Sequence, residues 1–218
     1  MSTMARFGFK GKKDETNARA QAVRKALGTR SIVMVGLMGC GKTSVGRRLS
    51  GVLRLPFVDA DEEIELAAGK SINEIFADYG EAHFRDGERK VIARLLTQGP
   101  QVLSTGGGAF MNEETRARIA EHGISVWLKV ELPILMKRVQ RRDDRPLLKT
   151  TDPEAKMREL MELRHPIYAQ ARLTVEGREV PHDMIVDEIL SALLAGPLAP
   201  SGVTVTTLAG GSSSAEAR

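Results

Sequence analysis

Residues 31–44 read SIVMVGLMGCGKTS, an apolar run followed by a glycine-rich loop. The run is short and uncharged, which is typical of a buried strand. The loop over residues 36–43 fits the pattern G-x-x-x-x-G-K-[ST], and a helix is predicted from about residue 42 to residue 53. A phosphate-binding P-loop requires a strand before it and a helix after it. The segment therefore predicts an α/β protein that grips the phosphates of a nucleotide.

The chemistry of this loop follows from its residue types. Glycines let backbone N–H groups converge on phosphate oxygens, and the N-terminus of the following helix adds partial positive charge. The Lys42 ammonium is expected to reach the outer phosphates, and the Thr43 hydroxyl is a ligand for Mg²⁺. Cys40 is either a small residue tolerated beside a phosphate or a redox-sensitive thiol. The predicted nucleotide-binding residues of the loop are Gly39, Cys40, Gly41, Lys42, Thr43 and Ser44.

Apolar runs alternate with helical patterns along the rest of the chain. Strands are predicted at residues 31–36, 56–58, 101–104, 124–130 and 173–175. Helices are predicted at residues 14–27, 42–53, 71–79, 81–97, 112–121, 132–140, 152–169 and 183–194. Such alternation indicates a parallel sheet covered by helices on both faces, with ligands bound at the carboxyl ends of the strands.

The termini differ in composition from the body of the chain. Residues 1–30 carry eight Lys and Arg against two Asp and Glu, whereas the remainder carries 24 against 26. We predict a basic N-terminal extension over residues 1–30, unordered to residue 13, and a flexible tail over residues 197–218. The central domain spans residues 31–196. Because the excess charge lies in the extension, we expect no nucleic-acid partner for the folded body; a solvated arm and a weak anionic partner for the arm both remain open.

The location follows from what the chain does not contain. Cys40 is the single cysteine, so no intramolecular disulfide forms. The first residues lack an apolar signal segment, and the uncharged stretch 31–41 is too short to span a bilayer. We expect a cytoplasmic protein with no membrane partner; Asp14 and Glu15 disfavour an organelle transit peptide.

Two carboxylates follow the predicted second strand. Asp59 and Asp61 lie one strand repeat apart, so we expect their side chains to point the same way beside the phosphate loop. One of them can hold Mg²⁺, directly or through water. The other can accept a hydrogen bond or a proton from an attacking hydroxyl. One of the two is also expected to serve as a polar N-cap for a helix beginning near residue 62.

Two arginines are candidates for binding an anionic acceptor. Arg85 lies near the start of a long predicted helix, and Glu88, one turn further on, can hold it in position. A guanidinium can bind a carboxylate through two hydrogen bonds. Arg164, near the end of a later helix, is a second candidate. An ordinary surface ion pair is the alternative for Arg85 and Glu88.

Two further segments suggest ligand contacts. Residues 106–108 are three consecutive glycines after a predicted strand, which is typical of backbone that approaches a ligand closely. Residues 141–148 read RRDDRPLL and join two helices, so we predict a mobile lid over residues 141–152. Arg145 in this lid is expected to close over the nucleotide and neutralise charge on the transferred phosphoryl group.

Taken in order, these segments resemble the shikimate kinase family. The resemblance rests on six of them: GLMGCGKTSVGRRLS, FVDADEEIE, FRDGE, STGGG, RRDDRPLL and ELRHPIY. It covers about residues 31–176. The P-loop alone is shared by many nucleotide-binding proteins, whereas the other motifs together are specific to this family.

The resemblance implies a P-loop fold of the nucleoside-monophosphate-kinase type, with three layers, a five-stranded parallel sheet and a mobile lid. It implies phosphorylation of the 3-hydroxyl of shikimate by ATP, a step toward chorismate and the aromatic amino acids. The implied catalytic residues are Lys42, Asp61 and Arg145; those binding shikimate are Asp61, Arg85, Gly107 and Arg164; those near Mg²⁺ are Thr43 and Asp59. The expected partners are shikimate and ATP, and we expect a monomer.

Three other functions remain as alternatives. A gluconate kinase of the same fold would also phosphorylate a hydroxy acid, although the two arginines and the three glycines favour shikimate. A nucleotide-dependent switch is disfavoured by the lack of an N-K-x-D guanine-binding motif. A nucleic-acid-binding protein would have to rely on the basic arm alone.

Overall fold

A computed structural model of the protein describes residues 4–140 and 151–199, with the backbone alone for residues 4–13. Five parallel strands form one sheet in the order β2-β3-β1-β4-β5. The strands are β1 (Ser31–Val35), β2 (Phe57–Asp59), β3 (Val102–Ser104), β4 (Gly123–Val130) and β5 (Leu173–Gly177). The predicted five-stranded parallel sheet is therefore confirmed, and each predicted strand overlaps an observed one.

Strand β1 is the centre of the sheet, and all five of its residues are buried. Its residue Ile32 lies opposite Val102 of β3 and Ile124 of β4. A strand covered on both faces needs apolar side chains on both, which explains the continuous apolar run in the sequence. From β1 the chain runs to β2 at one edge of the sheet, and after β3 it crosses past β1 to β4 on the other side. The carboxyl end of β1 is therefore where α/β proteins of this type bind ligands.

Helices cover both faces of this sheet. In the described part of the chain they are α1 (Met4–Leu27), α2 (Lys42–Leu53), α3 (Ala60–Ala68), α4 (Ile72–Leu96), α5 (Glu113–His122), α6 (Leu132–Val139), α7 (Pro153–Tyr168) and α8 (His182–Ala195). A 3₁₀ turn (Ala109–Met111) follows β3. None of these described helices is long and apolar enough to cross a membrane.

Local sequence determines where several helices begin. Four side chains accept a hydrogen bond from the first turn of a helix: Asp59 of α3, Ser71 of α4, Asn112 of α5 and Asp152 of α7. Such caps satisfy backbone N–H groups that have no partner within the helix. Helix α4 is broken at Gly80, whose φ of 79° and ψ of 174° are not helical. This break separates the two helices that the sequence predicted over residues 71–79 and 81–97.

Helix α1 is longer than the sequence predicted. Its backbone is helical from Met4, so the expectation of an unordered segment to residue 13 is wrong for the described residues. Gly8 and Gly11 lower the intrinsic helix propensity of that segment. A helix that is already nucleated extends at little cost. Three residues anchor its other end in the core: Ala20, Val23 and Leu27.

The other end of the chain also packs further than expected. Leu198 is buried in the core, and its backbone N–H donates to the Leu193 carbonyl oxygen at 2.8 Å. The chain is therefore still part of the folded body at this residue, inside the tail predicted over residues 197–218. Residues 200–218 of that tail, and residues 141–150 of the predicted lid, lie outside the described residues.

The two aspartates after β2 do not lie on one strand. Asp59 is the last residue of β2, whereas Asp61 is in the first turn of α3. The expectation that strand alternation aligns their side chains is therefore wrong. The run of acidic and aliphatic residues that follows favours a helix, and Asp59 caps it by accepting from the Asp61 backbone N–H at 3.1 Å. Both carboxylates nevertheless lie at the carboxyl edge of the sheet.

Candidate active site

The P-loop joins β1 to α2 around an open turn. Three of its glycines have positive φ angles, namely Gly36 (137°), Gly39 (77°) and Gly41 (100°). Gly41 occupies the N-cap of α2 in the left-handed region, which a residue with a Cβ adopts only with strain. The loop thus curls around the N-terminus of α2, where backbone N–H groups and the helix dipole favour an anion.

Lys42 is held by its own loop. Its side-chain ammonium is buried and donates to the carbonyl oxygens of Gly36 at 2.9 Å and Leu37 at 3.0 Å. These bonds place the charge inside the turn before any phosphate arrives. Cys40 is also buried, and its thiol sulfur accepts a hydrogen bond from the Lys42 ammonium at 3.8 Å. Ser44 follows, half-buried, on the first turn of α2.

Thr43 and Asp59 form an oxygen pair beside the loop. The Thr43 hydroxyl donates to one carboxylate oxygen of Asp59 at 3.0 Å, and the other oxygen caps α3. A hydroxyl and a carboxylate are the hard oxygen ligands that Mg²⁺ prefers. This ion usually keeps several waters and takes its remaining ligands from the nucleotide phosphates. The pair therefore fits Mg²⁺, and an ion held by Thr43 and Asp59 would supply positive charge beside the phosphates of a nucleotide.

The three glycines after β3 are the meeting point of the site. The neighbours of each glycine can be described by the atoms that a Cβ added to it would meet. Such an atom would lie 2.8 Å from the Asp61 and Glu88 carboxylates at Gly106, and 2.6 Å from the Arg85 guanidinium at Gly108. At Gly107 it would lie 3.5 Å from the P-loop backbone and 3.4 Å from the Arg164 guanidinium. A side chain at Gly106 or Gly108 would therefore displace the charged groups around it, whereas a Cβ at Gly107 would make ordinary contacts.

Arg85 is oriented by two glutamates. Its guanidinium donates to Glu81 at 3.1 Å and to Glu88 at 2.7 Å, and its side chain keeps 30% of its exposure. Glu88 is almost fully buried, and one of its carboxylate oxygens has no hydrogen-bond partner among the described residues. The expected role of Glu88 in holding Arg85 agrees with this geometry, and a surface ion pair does not.

Burial raises the pKa of the Glu88 carboxyl above its ordinary value, although the Arg85 charge acts in the opposite sense. The Asp61 charge also raises this pKa, and the Arg164 charge lowers it. Electrostatic effects of this kind require short distances. Asp61, Glu88 and the two arginines therefore share one charged cluster beside the glycine turn.

Arg164 comes to this cluster from α7. It is 7% exposed, and its guanidinium donates to the Gly107 carbonyl oxygen at 3.1 Å. Tyr168, one turn further along the helix, donates to the same oxygen. The sequence predicted Arg164 as an acceptor-binding residue. Tyr168 ends the motif ELRHPIY, but the sequence gave it no role, because its partner atom lies 61 residues away.

A cavity of about 270 Å³ opens on the other side of the P-loop. Its lining combines P-loop residues with α6 and the start of α8: Gly39, Gly41, Lys42, Thr43, Ser44, Arg138, Val139 and His182. The Arg138 guanidinium donates to the Cys40 carbonyl oxygen at 3.2 Å and to the Arg178 carbonyl oxygen at 3.1 Å. Sequence reasoning missed Arg138 and His182, since neither belongs to a recognisable motif. Arg145 lies outside the described residues.

Comparison with known proteins decides which family this arrangement represents. The sequence model of the family described as "Shikimate kinase" matches residues 38–194. The chain belongs to the shikimate kinase family. A curated shikimate kinase from Bradyrhizobium diazoefficiens is 59% identical over 173 residues, which cover 79% of this chain and 84% of that protein. One from Nitrobacter winogradskyi is 57% identical over 172 residues, covering 79% and 80%.

A solved member of the family has a similar structure. The shikimate kinase from Acinetobacter baumannii, determined in complex with shikimate, superposes with a TM-score of 0.75 at 37% identity. The match covers 79% of this chain and 97% of that one. The family membership that the sequence motifs suggested is therefore confirmed, together with the α/β fold of the P-loop kinases.

Proposed function

We propose that the protein transfers the terminal phosphoryl group of ATP to the 3-hydroxyl of shikimate, giving shikimate 3-phosphate and ADP. This reaction is a step of chorismate and aromatic amino-acid biosynthesis. The observation that carries the proposal is the meeting of Arg85, Asp61 and Arg164 on one glycine turn that touches the P-loop. An acceptor bound there must carry a negative charge for the two arginines and a hydroxyl group for Asp61. Shikimate has both a carboxylate and hydroxyl groups.

The acceptor is bound through its carboxylate. We propose that Arg85 and Arg164 bind that carboxylate, with the Gly107 backbone nearby. Because Arg85 is braced by Glu88 and Arg164 by the Gly107 carbonyl, both guanidinium groups are ordered before the substrate arrives. Preordered donors lose little conformational entropy on binding, which favours affinity and fixes the orientation of the ring.

Transfer proceeds in line, without a covalent enzyme intermediate. Asp61 orients the acceptor hydroxyl and accepts its proton as the new oxygen–phosphorus bond forms. The bond from phosphorus to the bridging oxygen of ADP breaks on the opposite side. Lys42 stabilises the charge on the transferred group and would exchange its loop carbonyls for phosphate oxygens. We propose that Mg²⁺ is held near Thr43 and Asp59, and that Arg145 closes from the lid onto ATP.

A coupled assay of ADP release tests the proposal. We expect release that depends on shikimate, with quinate and gluconate at least roughly 100-fold poorer in kcat/KM because neither presents the same hydroxyl geometry to Asp61. Release without an acceptor would indicate a nucleotide hydrolase or switch. Equal release with gluconate would assign the chain to a different hydroxy acid.

We further propose that the protein works as a monomer in the cytoplasm. Light scattering during size-exclusion chromatography tests the first part, with an expected mass near the 23.8 kDa of one chain. Fractionation of cells that express the full-length chain tests the second. A particle of twice that mass, or recovery with membranes, would contradict the corresponding expectation.

A further inference from the structure

The last turn of α7 places two donors on one acceptor. Arg164 and Tyr168 are four residues apart and therefore on the same face of the helix. The Arg164 guanidinium donates to the Gly107 carbonyl oxygen at 3.1 Å, and the Tyr168 hydroxyl donates to the same oxygen. A carbonyl oxygen has two lone pairs, so it can accept both bonds at once.

The ring of Tyr168 is rigidly held. It is fully buried and packs against Trp127 and Phe110, with ring centres 5.8 Å and 6.4 Å away. Burial raises the pKa of its hydroxyl, which therefore stays protonated and remains a donor. The hydroxyl at the end of this packed ring is therefore a fixed donor to the Gly107 oxygen.

That fixed donor orients a whole peptide unit. The carbonyl of Gly107 and the N–H of Gly108 belong to one planar group and point in opposite directions. Holding the oxygen therefore also sets the direction of the N–H. Arg85 lies against Gly108, since a Cβ there would stand 2.6 Å from its guanidinium. The peptide is thus bounded by Arg164 and Tyr168 at its oxygen and by Arg85 at the neighbouring Cα.

We propose that Tyr168 is a positioning residue for the acceptor, a role that rests on the proposed function. Its hydroxyl keeps the peptide between Gly107 and Gly108 in the orientation that the acceptor requires. It also releases Arg164. A buried carbonyl needs a donor at all times, and Tyr168 supplies one when a carboxylate draws the Arg164 guanidinium toward itself.

Loss of the hydroxyl alone separates this role from packing. Tyr168→Phe keeps the buried ring, and the Gly107 oxygen keeps Arg164 as a donor, so the fold retains its contacts. Arg164 must then serve both the carbonyl and the ligand. We expect the KM for shikimate to rise about 3- to 10-fold, as for the loss of one hydrogen bond. We expect kcat and the KM for ATP to stay within about twofold, because the P-loop side is untouched.

Tyr79→Phe is the matched control. Tyr79 is the other tyrosine of the chain; it is 55% exposed, and its ring packs against His83. We expect this variant to match the wild type in all three constants. Titration calorimetry of shikimate with the Tyr168→Phe protein should give the same loss of affinity without any turnover.

The outcomes distinguish this inference from the function on which it rests. A wild-type enzyme without shikimate-dependent ADP release contradicts the proposed function. An active wild type whose Tyr168→Phe variant has an unchanged KM for shikimate overturns the positioning role. The same holds if the KM values for ATP and shikimate rise equally together with a lower melting temperature, or if only kcat falls, because a general structural defect would produce those patterns.

Discussion

The phosphate side and the acceptor side of the site are built differently. The phosphate side consists of residues 36–44 with Asp59, and its lysine is held by backbone carbonyls of the same loop. The proposed acceptor side consists of Arg85, Glu88, residues 106–108 and Arg164. These residues come from three distant segments and are held by an ion pair between Arg85 and Glu88 and by a hydrogen bond from Arg164 to the Gly107 carbonyl oxygen. One side is thus a local backbone structure, and the other is a tertiary assembly.

This difference has a consequence for mutations. A local loop keeps its shape when remote residues change, so damage there comes from removing the charge that touches phosphate. A tertiary assembly depends on each hydrogen bond and ion pair that holds its side chains in place. Small changes at the acceptor side should therefore alter shikimate binding and leave nucleotide binding intact. Variants on the two sides should therefore separate the KM for shikimate from kcat.

Replacing the phosphate-side lysine should have the largest effect. Lys42→Met removes the ammonium that stabilises the negative charge of the transferred phosphoryl group. We expect kcat to fall by about 10³-fold or more. Steady-state ADP release measures this change. Lys137→Met is the control, because Lys137 is an exposed lysine paired with Glu179. A Lys42→Met enzyme with more than about a tenth of the normal kcat would contradict the role of the P-loop lysine.

Removing an acceptor-side arginine should act on binding. Arg85→Ala takes away a partly desolvated partner of the carboxylate, and we expect the KM for shikimate to rise by about 30-fold or more, with the KM for ATP nearly unchanged. Arg89→Ala is the control on the same helix, since Arg89 pairs with Asp86 and Glu114 instead. Equal losses in the two variants would mean that Arg85 acts only through the stability of α4.

A single methyl group should disturb the same arginine. The φ of −96° at Gly108 is allowed for alanine, but the new Cβ would stand 2.6 Å from the Arg85 guanidinium. Gly108→Ala should therefore raise the KM for shikimate roughly tenfold through misplacement, without loss of stability. Gly87→Ala has open space and lies within α4, so it should stabilise the fold by about 0.5–1 kcal/mol. A normal KM in Gly108→Ala would show that Arg85 has room to adjust.

The smallest effect concerns pH. Burial raises the pKa of Glu88 above 4.5, so its carboxyl binds a proton more tightly in the folded state than in the unfolded state. Its contribution to the free energy of unfolding is full below the unfolded value and declines as pH rises through the folded one. Urea unfolding should therefore show that, as pH rises through this window, the free energy of unfolding of the wild type falls relative to that of Glu88→Gln. Parallel profiles would contradict the raised pKa.

The same contrast explains what the sequence could predict. The P-loop is eight contiguous residues whose function requires a strand and a helix around it, so its position and geometry were predicted directly. The prediction for Asp61 was wrong in its secondary structure, because the helix expected to begin near residue 62 already begins at Ala60. The bond from Tyr168 to Gly107 joins residues 61 apart, and no local pattern indicates it.

The central claim is that the acceptor is bound by its carboxylate through Arg85 and Arg164. Titration calorimetry with shikimate and with its neutral methyl ester tests this claim directly, because the two ligands share every hydroxyl. We predict that the wild type binds the ester at least about 30-fold more weakly, and that Arg85→Ala loses most of this discrimination. Equal affinity of the wild type for acid and ester would contradict the account.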